Sequence, residues 1–279
     1  VSLGARFRIS VGTRFFPNPL GSCRSKLDNT VMKADILATG SELVSPDRVD
    51  TNSLWLTAQL NQWGIQVRRK LCLGDDLGLV SQELRTSLTQ ADLIFITGGL
   101  GPTEDDVTSQ AVSEALGKQL EFCQEQESYL RQRFEQMGRQ MTDNNLRQCY
   151  LPSGCIKLDN PLGTAPGFWA EAGPTRLFAL PGPPNENQPI FTEQITSLLD
   201  QWCGCRKMAR RILKVIGLGE SALDQRIAPI YQGCDNPTVG LLFSSFDVEV
   251  RLSAVGATLE QADQLNDNLA RQFYQVLGD

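Results

Sequence analysis

The sequence predicts an α/β fold of three layers, a mostly parallel sheet between helices, followed by a second, smaller α+β domain. Three observations carry this reading. From Lys33 on, short apolar runs alternate with helix-periodic stretches in the order β-α-β-α-β-α, which demands right-handed crossovers and a parallel sheet. The third apolar run opens into a glycine-rich turn, "TGGLGPTEDD" (97–106), at the strand-to-helix junction where such sheets bind ligands. Beyond the Pro-rich "PGPPNENQP" (181–189) the order becomes β-α-β-β-α, so a domain boundary is expected there. The expected division is a disordered or non-native extension over 1–31, a ligand-binding domain over 32–183 and a small α+β domain over 184–279.

Residues 1–31 hold Arg6, Arg8, Arg14, Arg24 and Lys26 against one acid, Asp28, without a sustained period. They read either as a transit-like segment or as an upstream-extended frame, since Met32 stands before the first convincing strand. Within the fold, 34–38 reads as a buried strand and 51–63 as a helix with Leu56, Leu60 and Trp63 on one face. A strand over 65–73, a helix over 79–88 and a strand over 92–96 follow. A helix over 103–116 places Val107, Ala111, Val112 and Ala115 in register and stops at Gly117. Residues 121–148 read as one long helical stretch, or two split near Gly138. Strands return at 155–158, 167–171 and 176–180, and 190–202 reads helical. The second module is expected as 210–217, 221–231, 238–243, 248–255 and 259–277.

Bulk composition excludes several function classes. A net charge of −6 over 279 residues argues against duplex DNA or an anionic membrane as partner, because those need a basic face. No apolar stretch approaches the roughly 20 residues of a spanning helix. The eight cysteines include no C-x2-C pair, which points to a reducing cytoplasm. Cys203-Gly-Cys205 is the one close pair, a metal or redox fragment or simply packing residues. The chain has no histidine, which removes Ser-His-Asp and Cys-His nucleophile systems and His-ligated zinc. If the chain is an enzyme, its acids, bases and metal ligands are then expected to be mostly carboxylates.

Three segments bear chemistry. Gly98, Gly99 and Gly101 allow a phosphate to approach backbone N–H groups, although the spacing matches neither a dinucleotide fingerprint nor a P-loop. The acids that follow have two compatible readings. Thr103 as a helix N-cap, with Asp106 completing a capping-box-like pair and Glu104 and Asp105 in the first turn, accounts for all three structurally. Alternatively one carboxylate holds a hard divalent cation that bridges to a phosphate. After the first strand come Thr39, Gly40 and Glu42, then Asp50, Thr51 and Asn52. Parallel topology is expected to bring Glu42 to the sheet edge of the glycine turn, where it is a candidate ligand or base, and Asp50 doubles as an N-cap candidate. The third segment, "NPLGTAPG" (160–167), offers Gly163 and Thr164 as a cradle, or only a connection, with Arg147 upstream as a phosphate partner.

Four ordered stretches, "ATGSEL" (38–43) with "VDTNS" (49–53), "TGGLGPTEDDVT" (97–108), "NPLGTAPGF" (160–168) and "ALPGPPNE" (179–186), resemble the competence/damage-inducible protein A (CinA) family. Its N-terminal part has the molybdopterin-binding fold shared with MoaB, MogA and MoeA proteins. "IGLGES" (216–221) and "VEVRLSA" (248–254) extend the likeness into the second module. This chain departs from the family pattern at Pro46 and at Asn185-Glu186-Asn187. The resemblance implies metal-dependent hydrolysis of ADP-ribose to AMP and ribose 5-phosphate. Glu42 and Asp106 would be catalytic, and Glu42, Asp50 and Asp106 would hold Mg2+, Mn2+ or Co2+. It further implies a small anionic nucleotide as substrate, a homo-oligomer such as a dimer, and no nicotinamide mononucleotide deamidase within these residues. Shared fold leaves two alternatives, molybdopterin binding or adenylylation and a non-catalytic nucleotide-binding module.

Overall fold

The computed structural model describes residues 32–203, 207–244 and 246–278. The extension over 1–31 and Cys205 lie outside them, as does the Cys203 side chain. The described residues fall into two compact units, the larger taking in the chain up to Trp202 apart from 62–64, and the smaller taking 62–64 and the chain from Cys203 on.

The larger unit is built on a six-stranded sheet in the order β2-β1-β3-β8-β7-β6. Strands β1 (Lys33–Thr39), β2 (Gln66–Leu73), β3 (Leu93–Thr97) and β8 (Thr175–Leu180) run parallel, and β6 (Ile156–Leu158) and β7 (Gly167–Ala172) add antiparallel. β3 is buried at every position, as a sheet covered on both faces requires. On one face Leu37, Ile94, Ile96 and Leu177 pack with Val80 and Leu84 of α2 (Leu77–Leu88) and Ala111 and Val112 of α3 (Thr108–Leu116). From the other face Phe95 stacks on Phe178 at 4.9 Å. Phe191 closes over Phe95 at 6.0 Å and meets Trp55 of α1 (Thr51–Gln62) at 5.3 Å. The Pro-rich segment is therefore not the break between units. It opens α5 (Pro184–Ile190), which continues through one π-helical turn over Phe191–Ile195, just past Pro189, into α6 (Thr196–Cys203). Ile190, Phe191, Ile195 and Leu199 are wholly buried, so this apolar stripe belongs to the third layer of the larger unit.

Two further differences have non-local causes. Of the two readings of 121–148, the split near Gly138 is the one realised, and both pieces are shorter than expected. β4 (Leu120–Phe122) pairs antiparallel with β5 (Tyr150–Pro152), and only α4 (Gln124–Gln136) is helical before Gly138 turns the chain in the left-handed region and a 3-10 helix spans Asp143–Cys149. Helix α3 begins at Thr108 rather than Thr103. The carboxylate of Asp106 accepts the N–H and the hydroxyl of Thr103 (2.8 and 2.5 Å), closing a separate turn. The helix start is instead tied down by Thr108, whose N–H and hydroxyl donate to the carbonyls of Gly99 and Gly98 (3.0 and 2.8 Å). Glu104 and Asp105 thus lie before the helix, and a first-turn dipole account of them fails.

The smaller unit is an antiparallel sheet in the order β10-β11-β9 (Thr238–Phe243, Val248–Gly256, Lys207–Val215). Val248, Val250, Leu252 and Leu213 face Leu223 and Ile227 of α7 (Glu220–Tyr231) and Leu269 and Phe273 of α8 (Leu259–Leu277). Thr258 caps α8 by accepting the Gln261 N–H. Among the described residues no helix is long and apolar enough to cross a membrane.

Candidate functional site

Parallel pairing of β1, β3 and β8 aligns Ala38, Thr97 and Leu180, so the segments that follow them meet at one sheet edge. There they enclose a cavity of about 330 Å3. Backbone geometry at this edge requires glycine. Gly98 has φ 94°, and a Cβ on it would stand 2.2 Å from the Thr39 carbonyl oxygen. The buried hydroxyls of Thr39 and Thr108 lie 3.3 Å apart beneath the loop. Thr108 is thus a supporting residue that an apolar helical period cannot single out, because its role depends on the return of the loop.

The structure brings together eight of the residues expected from sequence: Thr39, Gly40, Glu42, Gly98, Gly99, Gly101, Asp106 and Thr164 all line this cavity. Five do not. Asp50 accepts the Ser53 N–H at 2.9 Å and so starts α1, with the Cys72 thiol 3.7 Å away; its N-cap role is realised and it does not face the cavity. Asn52 donates to the carbonyl of Gly182 at 2.7 Å, holding a lining residue from behind. Thr103 serves Asp106, as above. Gly163 donates its N–H to Asn160 and leaves room for Glu186, whose Oε2 would be 2.0 Å from a Cβ there. Arg147 pairs with Glu104 at 2.8 Å and lines a second cavity, of about 180 Å3, on the far part of the glycine loop.

Sequence reasoning missed Asp75 and Glu186, which also line the first cavity. Asp75 accepts both the N–H and the hydroxyl of Ser41 at 2.8 Å. Glu186 accepts from the Asn160 amide at 2.7 Å, and that amide also donates to the Ala165 carbonyl at 2.7 Å. Asp75 lies in the turn between β2 and α2 and Glu186 in the first turn of α5, and each reaches the site only through tertiary contact. With Glu42, Asp105 and Asp106 they make the cavity lining rich in carboxylates, and those of Glu42 and Asp106 lie directly against the backbone of Gly40 and Gly101.

The donor set suits a hard cation in one particular manner. Among the described residues no three His, Cys, Asp or Glu side chains are gathered closely enough to hold a metal ion by themselves, so the expected triad of Glu42, Asp50 and Asp106 is not assembled. Mg2+ ordinarily takes one or two carboxylates and completes its shell with water and substrate phosphates. Glu42 and Asp106, which line the same cavity, fit that pattern.

A parallel sheet whose carboxyl edge carries a glycine loop and converging carboxylates defines a nucleotide- or cofactor-binding α/β domain. Residues 35–201 match the family model of the probable molybdopterin binding domain, and residues 210–279 that of the damage-inducible protein CinA KH domain. The chain belongs to the molybdopterin-binding domain family, in the CinA-like arrangement of these two domains. It is 40% identical over 248 residues to a CinA-like protein of Solibacter usitatus and 35% identical over 248 residues to a putative competence-damage inducible protein of Caldicellulosiruptor saccharolyticus. In both cases 89% of this chain matches 60% of the relative, so it spans about 60% of the length of these curated relatives. The crystal structure of the protein CinA with unknown function from Thermoplasma acidophilum is similar over 60% of this chain and 98% of its own, with 28% identity and a TM-score of 0.56.

Proposed function

We propose that this chain hydrolyses the pyrophosphate of ADP-ribose, or of a related nucleotide, to AMP and ribose 5-phosphate with the help of a divalent cation. One observation carries the reading: the Gly98–Gly101 loop and the carboxylates of Glu42 and Asp106 line the same cavity. The Gly98 N–H is already given to the Leu180 carbonyl at 3.0 Å, so phosphate oxygens would be met by the N–H groups of Gly99, Leu100 and Gly101. Glu42 and Asp106 would hold Mg2+, Mn2+ or Co2+, which when bound neutralises the diphosphate and acidifies water. Water oxygen forms the new bond to phosphorus, the bridging P–O bond breaks, and the water proton passes to a cavity carboxylate, the chain having no histidine. Asp75 and Glu186 would accept hydroxyl groups of the sugar.

The test is product identification after incubation with ADP-ribose and each of the three ions. Asp106→Asn keeps an acceptor for Thr103 and should lower turnover by about a hundredfold or more, the scale at which acid–base and metal-positioning groups act. Full activity in that variant, or no product under any ion, overturns the proposal. The family description favours one other reading, molybdopterin binding or adenylylation. Calorimetric titration with molybdopterin in place of ADP-ribose separates the two, and binding without product would indicate a non-catalytic module.

A further inference from the structure

We propose that the second cavity is a subsite for a planar heteroaromatic base, so that the ligand of this site is a nucleotide rather than a sugar phosphate alone. This rests on the reading above only in taking the glycine loop as the phosphate site. The cavity of about 180 Å3 shares Gly99, Leu100, Gly101 and Asp106 with the first, so a group held at the loop has access to both sides. Leu120 and Tyr150 of the β4–β5 ribbon line it, and with Phe122 they form the ribbon's outward face, 36%, 43% and 41% exposed respectively, while Leu151 turns into the core. Tyr150 lines the cavity and pairs in register with Phe122, ring to ring at 5.2 Å and 71°. That edge contact fixes the tyrosine ring as a platform, the arrangement on which bases stack.

The polar members of the wall suit a base better than a second phosphate. Arg147 has its charge answered by Glu104 at 2.8 Å, leaving a planar guanidinium suited to stacking and edge hydrogen bonds. Gln110 gives one amide proton to Glu114 at 3.2 Å and keeps its carbonyl oxygen to accept from the edge of a base. The first cavity, walled by carboxylates, would receive the donor-rich ribose on the other side of the phosphates.

Calorimetry on the full chain with AMP and with ribose 5-phosphate tests the subsite, using the unsubstituted protein, Tyr150→Ala and Tyr150→Phe. Base stacking on one aromatic ring is worth about 1 to 3 kcal/mol, so Tyr150→Ala should weaken AMP about fivefold to a hundredfold. Ribose 5-phosphate should bind unchanged, and Tyr150→Phe should restore AMP. Equal weakening of both ligands would assign Tyr150 to the ribbon's structure and overturn the inference, as would unchanged AMP binding in Tyr150→Ala or no AMP binding by the unsubstituted chain. Failure to hydrolyse ADP-ribose while AMP binds through Tyr150 would overturn the proposed function alone.

Discussion

At the residue scale, capping and catalysis compete for the same side chains, and geometry assigns them. Asp50 reads in sequence either as a ligand or as an N-cap; its bond to the Ser53 N–H and its approach to Cys72 settle it as structural. Burial first, and then the Asp50 carboxylate, push the Cys72 thiol up from its ordinary value. Because a raised pKa depletes thiolate at neutral pH, Cys72 should alkylate slowly with iodoacetamide at pH 8 despite its exposure. Asp50→Asn, which still caps the helix, should speed labelling at this site by removing the negative charge; an unchanged rate by peptide mass spectrometry would contradict the coupling. Thr108 had no distinguishing signal among helical residues, yet its hydroxyl joins the helix start to Gly98 and Thr39. Thr108→Val should cost about 1 to 2 kcal/mol in urea unfolding, since the Gly98 carbonyl loses a buried donor, and should weaken binding of AMP at the loop.

At the element scale, local periodicity identified β1, β2, β3, β7, β8 and the helices of the smaller unit to within a few residues. It failed where pairing partners are remote. Leu120–Phe122 became a strand because Tyr150–Pro152 returns to it, and no helical period can announce that. The same region carries Cys149 and Cys155, whose thiols burial pushes up to about 11 from 9.0. An acid with a raised pKa in the folded state binds its proton more tightly there than when unfolded. Folding stability should therefore be fully present below pH 9, and fall as pH rises from about 9 towards about 11. The double variant Cys149→Ala, Cys155→Ala should flatten that slope in pH-dependent urea unfolding, whatever its effect on stability at pH 7. An unchanged slope would mean that other groups carry it.

At the scale of the whole molecule, the unit that ends at Trp202 holds every residue lining either cavity. The Pro-rich segment looked like a linker because proline and glycine cluster there, but the stripe of Ile190, Phe191, Ile195 and Leu199 that follows is buried in the larger unit. A fragment of residues 32–203 should accordingly melt cooperatively and bind AMP as the full chain does. A fragment ending at 183 should lose cooperative melting, because Phe95 and Trp55 would lose the cover of Phe191. Circular dichroism melts and AMP titration of the two fragments check this directly.

The sequence by itself determined the alternation of strands and helices, the glycine turn at the end of the third strand and the lack of histidine, since these follow from local periodicity, backbone freedom and composition. Tertiary structure alone decided which carboxylates meet. Asp75 and Glu186 enter the cavity and Asp50 leaves it, because side chains far apart in sequence are brought to one edge only by the register of β1, β3 and β8. It decided also that Tyr150 and Arg147 line a second cavity that shares the glycine loop, where the returning strand β5 and the 3-10 helix before it, neither announced by local pattern, place them.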